Sequence, residues 1–342
     1  MRRLNNGFTL VELMIAIAIS IIMVAGLIQI LIANRQAYRV MEGANFMQEN
    51  MRFSVERLTY AARMAAHWGA IKPANLIGAN VPGSNTPCSP GWARELGRPI
   101  VAWNGSSTAP SALADCFDAA NYEPNTDIVA MRYAESDPVL AGSPLDPGQL
   151  YVVTQAHAGQ GAIFLGSSGI PTLPNRNAGG VESRPQTRVS AVSAELFWVR
   201  RCNDPGPDNA CGNSDDGDFE NPIPTLMRGY LDTAGNWLSE PIADGAEQLQ
   251  IEFQFERGPW FSADNVPNSA PSALRDPWAQ LGGVRIAGIA RSSQRDNSFP
   301  EDVRTFPLSG DVTAHSVSGV AAKTLRTRFE STVSMRNHYR TR

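Results

Sequence analysis

The sequence has few of the features that enzymes and nucleic-acid-binding proteins display. Its four histidines, His67, His157, His315 and His338, are scattered, and none lies in an H-E-x-x-H motif or beside a G-x-S-x-G motif. The formal net charge is -4, and the basic residues form only a mild C-terminal cluster, which argues against a nucleic-acid partner. No catalytic constellation is visible, so we expect a structural and assembly protein that is not an enzyme and needs no cofactor.

Cysteines are also scarce, and their spacing excludes common uses. Cys88, Cys116, Cys202 and Cys211 contain no C-x-x-C pair, which weakens a zinc or thioredoxin-like interpretation. An even count in Pro- and Gly-rich surroundings is typical of two disulfides in an exported domain. Among the three connectivities, we predict Cys88–Cys116 and Cys202–Cys211. The alternative is four free thiols in a cytosolic protein.

One long apolar run lies at the N-terminus. Residues 9–33 carry Glu12 as their only charge. A membrane helix needs about 20 apolar residues, so this run is long enough to span a bilayer. It is too long for the apolar region of a secretory signal, and no small-x-small cleavage site follows it. A plain signal anchor would explain the length and the basic Arg2 and Arg3, but not Glu12.

Glu12 is a functional candidate because a carboxylate inside a membrane segment is costly unless it finds a partner. If the chain is cut between Gly7 and Phe8, Phe8 gains an α-ammonium group about one helical turn from Glu12. The Phe8 amine of a neighbouring subunit could then neutralise Glu12 in an apolar filament core. The same cut would leave the apolar helix attached to the mature protein.

The segment Gly7-Phe8-Thr9-Leu10-Val11-Glu12 resembles the cleavage and methylation signature of type IV prepilins and pseudopilins. The resemblance implies that residues 1–7 are a leader peptide, and that a prepilin peptidase cuts after Gly7 and methylates Phe8. Glu12 corresponds to the glutamate at the family's fifth mature position. The resemblance directly covers only the N-terminal segment.

Beyond the apolar run the pattern becomes amphipathic. Apolar residues recur at three- and four-residue steps, the period of a helix: Val40, Ala44, Met47, Met51, Val55, Leu58, Ala62 and Ala65. Charged residues are predicted on the opposite face: Glu49, Arg52, Glu56 and Arg57. No proline precedes Pro73, so we predict one helix whose first half, 8–33, lies in the membrane or filament core. Its second half, 34–68, would pack on a globular domain.

Residues 69–342 are predicted to form a β-rich head. A Pro-, Gly-, Ser- and Asn-rich connection covers 69–125 and holds the first two cysteines. Strand-like runs follow at 128–133, 150–154, 162–165, 194–200, 225–231, 249–255, 284–290 and 329–335. In 249–255 apolar residues alternate with Gln and Glu, and this period of two predicts a sheet with one buried face.

Two loops complete the predicted head. The segment 159–161, Gly-Gln-Gly, predicts a hairpin turn. Residues 258–282 predict a long Pro-rich loop. Its aromatic residues Trp260, Phe261 and Trp278 would either cap the sheet, the interpretation we favour, or form an adhesive patch.

The order of one long helix followed by strands predicts an α+β fold, and it matches the pilin architecture of a helical spine with an antiparallel β-sheet head. The chain is longer than major pilins, and the segments 47–53 and 58–64 resemble the spine of PilW-type minor pilins. The segments 284–292 and 331–337 resemble PilW-type minor pilins or the related J-type pseudopilins.

This resemblance implies a minor pilin that joins a type IV pilus, primes assembly at its tip and supports twitching motility. The implied partners are other minor and major pilins, the prepilin peptidase, an inner-membrane assembly platform and a tip adhesin. The implied location is the inner membrane, with a periplasmic head, and then the pilus at the cell surface. Two alternatives stay open: a J-type pseudopilin of type II secretion, and a single-pass periplasmic enzyme or receptor.

An acidic loop surrounds the last two cysteines. Asp215, Asp216 and Asp218 offer the oxygen ligands that Ca²⁺ takes, and some pilin relatives bind calcium. The loop lacks the full D-x-D-x-D-G spacing and the distal glutamate of a calcium loop. A solvated acidic loop is therefore the favoured interpretation, and calcium the weaker one.

Overall fold

The chain divides into two compact units, Met1–Phe46 and Met47–Arg342. The computed structural model describes residues 9–69, 71, 76–78, 86–96, 98–155, 159–173, 187–217, 221–255, 258–265, 281–295, 301–308, 314–317 and 323–335. The second unit, called the head unit below, holds the three described sheets and the end of the long helix.

Helix α1 (Leu10–Met64) is 55 residues long. It ends at Met64, and Ala66, two residues on, has a φ of 64°, in the left-handed region that often follows the last helical turn. The Ala66 N–H donates to the carbonyl of Arg132 over 3.2 Å, and the Ala134 N–H donates to the carbonyl of His67 over 2.7 Å. The chain therefore leaves the helix by joining the backbone of the head.

The head contains one short helix, α2 (Pro90–Ala93), and fourteen described strands. The first eight are β1 (Leu76–Ile77), β2 (Ile100–Trp103), β3 (Ile128–Pro138), β4 (Leu150–Gln155), β5 (Gln160–Leu165), β6 (Arg188–Arg200), β7 (Thr225–Leu231) and β8 (Trp237–Asp244). The others are β9 (Ala246–Phe255), β10 (Trp260–Ser262), β11 (Leu281–Arg291), β12 (Phe306–Pro307), β13 (Ala314–His315) and β14 (Arg326–Ser334).

The larger sheet has eight strands, in the order β1-β5-β4-β6-β3-β2, with β7 and β8 attached through β6. Strand β6 organises this sheet: its beginning pairs with β4, its end pairs with β7, and β3 pairs along its other edge. Among the described strand pairings of this sheet, only β1–β5 is parallel. The second sheet, β10-β9-β11-β14, and the two-stranded sheet β12-β13 are antiparallel throughout. A helix followed by these sheets confirms the predicted α+β class.

The main core lies between the end of α1 and the eight- and four-stranded sheets. Three helix residues in it, and Ala65 just after the helix, are fully buried: Leu58, Ala61, Ala62 and Ala65. The larger sheet contributes Val129, Met131, Tyr133 and Phe197, and the second sheet contributes Ile251, Phe253, Val284 and Ile286. The small alanine side chains let the helix approach the sheets closely, so this half of α1 is part of the folded head.

Two disulfides staple the head. Cys88–Cys116 and Cys202–Cys211 have Cα–Cα distances of 5.4 and 5.8 Å, within the range of bridged cysteines. The side chain of Asn121, five residues after Cys116, bonds to the backbone of the loop that Cys202–Cys211 closes. Its Nδ2 donates to the carbonyl of Asn209, and its Oδ1 accepts from the Cys211 N–H, each over 2.7 Å.

All eight strand-like runs of the sequence overlap strands, and Gly159 lies in the β4–β5 hairpin. Two finer expectations are wrong. In β9 the polar residues are not on an exposed face: Gln250 is 1 % exposed because its amide donates to the carbonyl of Asn125, in a segment that packs on the strand. The loop predicted at 258–282 contains β10, since Trp260 and Phe261 extend β9 into a hairpin. Trp278 lies outside the described residues.

Candidate functional site

The first turn of α1 is closed by a reciprocal pair of side chains. The backbone N–H of Thr9 donates to Glu12 Oε2 over 2.9 Å, and the Thr9 hydroxyl donates to the same oxygen over 2.9 Å. In return, the Glu12 N–H donates to Thr9 Oγ1 over 3.3 Å. This is a capping box, in which the residue before the helix and the third helical residue satisfy each other's N–H groups.

The capping box holds the Glu12 carboxylate at the N-terminal end of the helix. Four backbone N–H groups have no partner inside a helix at that end, and they favour a negative charge. The Thr-x-x-Glu spacing in the sequence is a signal for this capping role of Glu12. Consideration of the cost of a carboxylate in a membrane segment does not by itself suggest that role. Gly7 and Phe8, the predicted cleavage and methylation residues, lie outside the described residues, so the Glu12–Phe8 charge pair stays a prediction.

The helix beyond Glu12 presents an apolar surface on all sides. Within the described part of the chain, α1 is the one helix long and apolar enough to cross a membrane, with a mean hydropathy of 2.8 over the best window. Large side chains along it are more than half exposed, including Ile22 at 72 % and Leu27 at 66 %. The Ser20 hydroxyl donates to the carbonyl of Ala16 over 2.7 Å, which satisfies this polar group within the helix. Such a surface requires a nonaqueous neighbour.

An ion network joins the end of α1 to the larger sheet. The sequence pattern predicts Arg57 on the exposed face, and this prediction is wrong: its guanidinium contacts Glu195 of β6, whose side chain is fully buried. Arg228 of β7 donates to the same carboxylate over 2.8 Å and to Glu240 of β8 over 2.6 Å. Burial raises the pKa of Glu195, and the charges of Arg228 and Arg57 oppose that shift.

A second ion cluster lies near the start of the second sheet. Arg326 donates to Glu247 through Nε at 2.7 Å and Nη2 at 3.1 Å, and His315 Nε2 lies 3.5 Å from the same carboxylate. Although burial raises the pKa of Glu247, its contacts with His315 and Arg326 bring that pKa below its ordinary value. Burial raises the pKa of nearby Glu123 to about 7. This cluster links three separate segments of the head.

The acidic loop caps its own backbone. Asp216 Oδ2 accepts from the N–H groups of Gly212 and Asn213, at 2.6 and 3.2 Å, while Asp215 is exposed. Asp218 lies outside the described residues. In the described part of the chain, no three His, Cys, Asp or Glu side chains are grouped so that they could hold a metal ion. Asp216 thus stabilises the turn, and calcium binding stays a prediction.

The aromatic residues of β10 pack against side chains of other strands in the second sheet. The guanidinium of Arg285 lies 4.2 Å from the centroid of the Trp260 ring, and the Phe255 and Phe261 rings lie 6.0 Å apart. Both rings of β10 are half-buried. Packing of this kind fits the favoured interpretation that these side chains cap the sheet.

A capped apolar helix at the N-terminus, followed by a β-sheet head, defines a pilin-like protein. Residues 2–28 match the model of the prokaryotic N-terminal methylation motif. Residues 210–337 match the model of the type IV pilus-assembly protein W, PilW. Together the two matches support a PilW-type pilin-like protein. No curated protein and no solved structure matches the chain.

The two matches also indicate the setting in which the chain works. The methylation motif and the apolar helix fit membrane anchoring and later incorporation into a pilus. The PilW match spans β7 to β14, which includes the whole second sheet. The two matches together support a type IV pilus-related minor pilin, a kind of protein that interacts with other pilins and with the assembly machinery. Pilin domains are typically structural rather than catalytic.

Proposed function

We propose that this chain is a minor pilin that is cut between Gly7 and Phe8, methylated at Phe8, and incorporated at the tip of a type IV pilus, where it primes assembly. The observation that carries the proposal is the position of Glu12. Its carboxylate is held at the N-terminal end of an exposed apolar helix, on the fifth residue after the proposed cut. The PilW match supports a pilus over a type II secretion system.

The proposed role of Glu12 follows from charge. During assembly the helix leaves lipid and enters a bundle of apolar helices, and the new ammonium group of Phe8 enters with it. An unpaired charge buried there costs several kcal/mol. The Glu12 carboxylate of a neighbouring subunit offsets this cost, since two opposite charges at about 4 Å attract strongly in a medium of low dielectric constant.

The proposed setting follows from the same features. Before assembly the helix spans the inner membrane once, and the head lies in the periplasm, where both disulfides can form. Afterwards the head lies at the cell surface. Proposed partners are other minor and major pilins, the prepilin peptidase, an inner-membrane assembly platform and a tip adhesin. Through them the chain would support twitching motility.

Processing is the first test. We expect the chain extracted from membranes to begin at Phe8 and to carry one methyl group, as measured by N-terminal sequencing and intact mass. Gly7→Leu should leave the full precursor in the membrane, while Asn6→Leu should be processed normally. A mature chain that begins at Met1, or beyond residue 33, would contradict the proposal.

Incorporation is the second test. We expect the mature chain in pili sheared from cells, at far lower copy than the major pilin, and located at the filament end by immunogold labelling. Deletion of the gene should reduce pilus number and twitching, and the full-length chain should restore both. Labelling along the whole filament would contradict the tip position. Normal piliation together with a protein-secretion defect would favour the pseudopilin alternative.

A further inference from the structure

Strand β14 forms one edge of the second sheet. It pairs with β11 through nine consecutive residues, from Gly283↔Ser334 to Arg291↔Arg326, without a register shift. No described strand lies on its other side. The outer side of this strand therefore offers backbone groups to whatever lies beside it.

The direction of these backbone groups follows from the bonds at the two ends of the strand. The carbonyl of Leu325 accepts from the Ser292 N–H over 2.9 Å, and the Met335 N–H donates to the carbonyl of Gly282 over 3.0 Å. Residues in an antiparallel pair alternate between positions that bond to the partner and positions that point away. The residues that point away from β11 are Arg326, Arg328, Glu330, Thr332 and Ser334.

One of these outer positions is already occupied. The carbonyl of Arg326 accepts from Arg304 Nη2 over 3.0 Å, which confirms the outward direction of this set. At the other four positions the outward N–H and carbonyl groups have no partner within the described part of the chain, and the four side chains are exposed. A row of such groups is a template for another strand.

The other sheet edges in the described part of the head unit are protected. Strands β1, β12 and β13 have two residues each, and β10 and β2 have three and four. Strand β8 contains Pro241 and pairs with β7 through a register shift. Short edges, proline and bulges are the means by which proteins prevent strand addition. Strand β14 has nine residues and none of these features, and its edge protection is limited to the charged side chains of Arg326, Arg328 and Glu330.

We propose that β14 accepts an extended strand from the head of a different pilus subunit. This inference rests on the proposed function. The four open backbone positions supply the hydrogen bonds, as in other cases of strand addition. The inner face of β14 buries Phe329 and Val333, whereas the outer face carries Arg328 and Glu330. The added strand therefore alternates apolar residues, which extend the core, with polar residues that face Arg328 and Glu330.

A second copy of this chain fits less well. Pairing of the same edge in two copies is an isologous contact, which closes on itself. Growth of a filament needs heterologous contacts, in which each subunit leaves another surface free. A different subunit is therefore the occupant that the proposed assembly requires.

Cross-linking in cells tests the proposal with the full-length chain. A photo-reactive amino acid at Thr332 should form an adduct with the head of another pilus subunit, mapped by mass spectrometry to one of its strands. The same amino acid at Ser239, exposed on the β8 edge, should form none. An adduct only with a second copy, or no adduct at Thr332 in a chain that is present in sheared pili, would overturn strand addition. Absence of the unmodified chain from pili would instead count against the proposed function.

A matched pair of substitutions tests the backbone contact. Thr332→Pro removes one outward N–H and leaves the bonds to β11, whereas Thr332→Ala keeps that N–H. With the photo-reactive group at Ser334, Thr332→Pro should lower the adduct yield about fivefold, as expected for one lost backbone hydrogen bond. Thr332→Ala should match the parent. Equal yields for both variants, at equal membrane levels, would show that the backbone of β14 makes no such contact.

Discussion

The two halves of α1 belong to one helix but have opposite surfaces. In the first half the leucine and isoleucine side chains are exposed, and Leu27 is 66 % exposed. In the second half Leu58 and Ala62 are fully buried, while Glu49, Arg52 and Glu56 are exposed. Both halves have good helix-forming residues, so helix propensity does not distinguish them. The pattern of apolar residues does: a one-sided pattern packs on the head, and an all-round pattern requires a membrane or other helices.

A matched pair of leucines gives the largest expected effect in this comparison. Leu58→Ala leaves a cavity in the main core and should lower the free energy of unfolding of the head by about 2–5 kcal/mol. Leu27→Ala should leave that free energy unchanged, because Leu27 lies in the first compact unit and its side chain is 66 % exposed. Chemical denaturation of the full-length protein in detergent micelles measures both. Equal losses in the two variants would show that the halves are not independent.

A matched pair of arginines on the second half gives a smaller effect. Arg57→Ala removes a charged partner of buried Glu195 and should lower the free energy of unfolding by about 1.5–3 kcal/mol. Arg52 is exposed, so Arg52→Ala should change it by less than about 0.5 kcal/mol. The same denaturation experiment applies. If Arg57→Ala matches Arg52→Ala, the contact with Glu195 does not hold the helix to the sheet.

A dependence of stability on pH should come from the head, which holds many titratable side chains. Residues 9–33 carry only one charged residue, Glu12. Burial raises the pKa of Glu123 from 4.5 to about 7, so the folded state favours the protonated form. The resulting stability is present below the unfolded pKa and is lost as the pH rises through about 7.

Glu123→Gln cannot ionise and tests this effect. Its unfolding temperature should rise relative to that of the parent between about pH 5 and about pH 8. Glu301→Gln, at an exposed position, should show no such change. A constant difference between Glu123→Gln and the parent across this range would refute the assignment.

The sequence predicts the elements better than their contacts. The all-round apolar pattern of residues 9–33 and the alternation in β9 identify a helix and a strand because each depends only on local period. The partner of Arg57 lies 138 positions away, at Glu195, and no local pattern reports it. Strand β8 was not predicted, because its sequence contains Pro241 and lacks a regular alternation of apolar and polar residues.

In the candidate site, too, the sequence predicts the important residue but not its contacts. Glu12 is conspicuous in the sequence as a lone charge in an apolar run. Its hydrogen bonds to Thr9 were found only in the structure, although the Thr-x-x-Glu spacing is a local signal for them. The buried Gln250 required it too, since residues 125–127 reach β9 only in the folded head. Local periods predict where a strand lies, and distant segments decide which of its faces are covered.

We propose that the charge of Glu12 serves assembly, and not the capping of the helix or the stability of the head. Glu12→Gln separates these roles, because glutamine also completes a capping box but carries no charge. Glu12→Ala removes both the cap and the charge. Neither change should alter the unfolding temperature of the head or the level of the protein in the membrane.

The decisive measurement is the amount of each variant in sheared pili, relative to its amount in the membrane. Loss of the charge pair should lower this ratio at least about tenfold for Glu12→Gln, because each tenfold change corresponds to only about 1.4 kcal/mol. Glu12→Ala should lose at least as much. If Glu12→Gln assembles as well as the parent while Glu12→Ala does not, then the cap, and not the charge, is what assembly needs, and the account is contradicted.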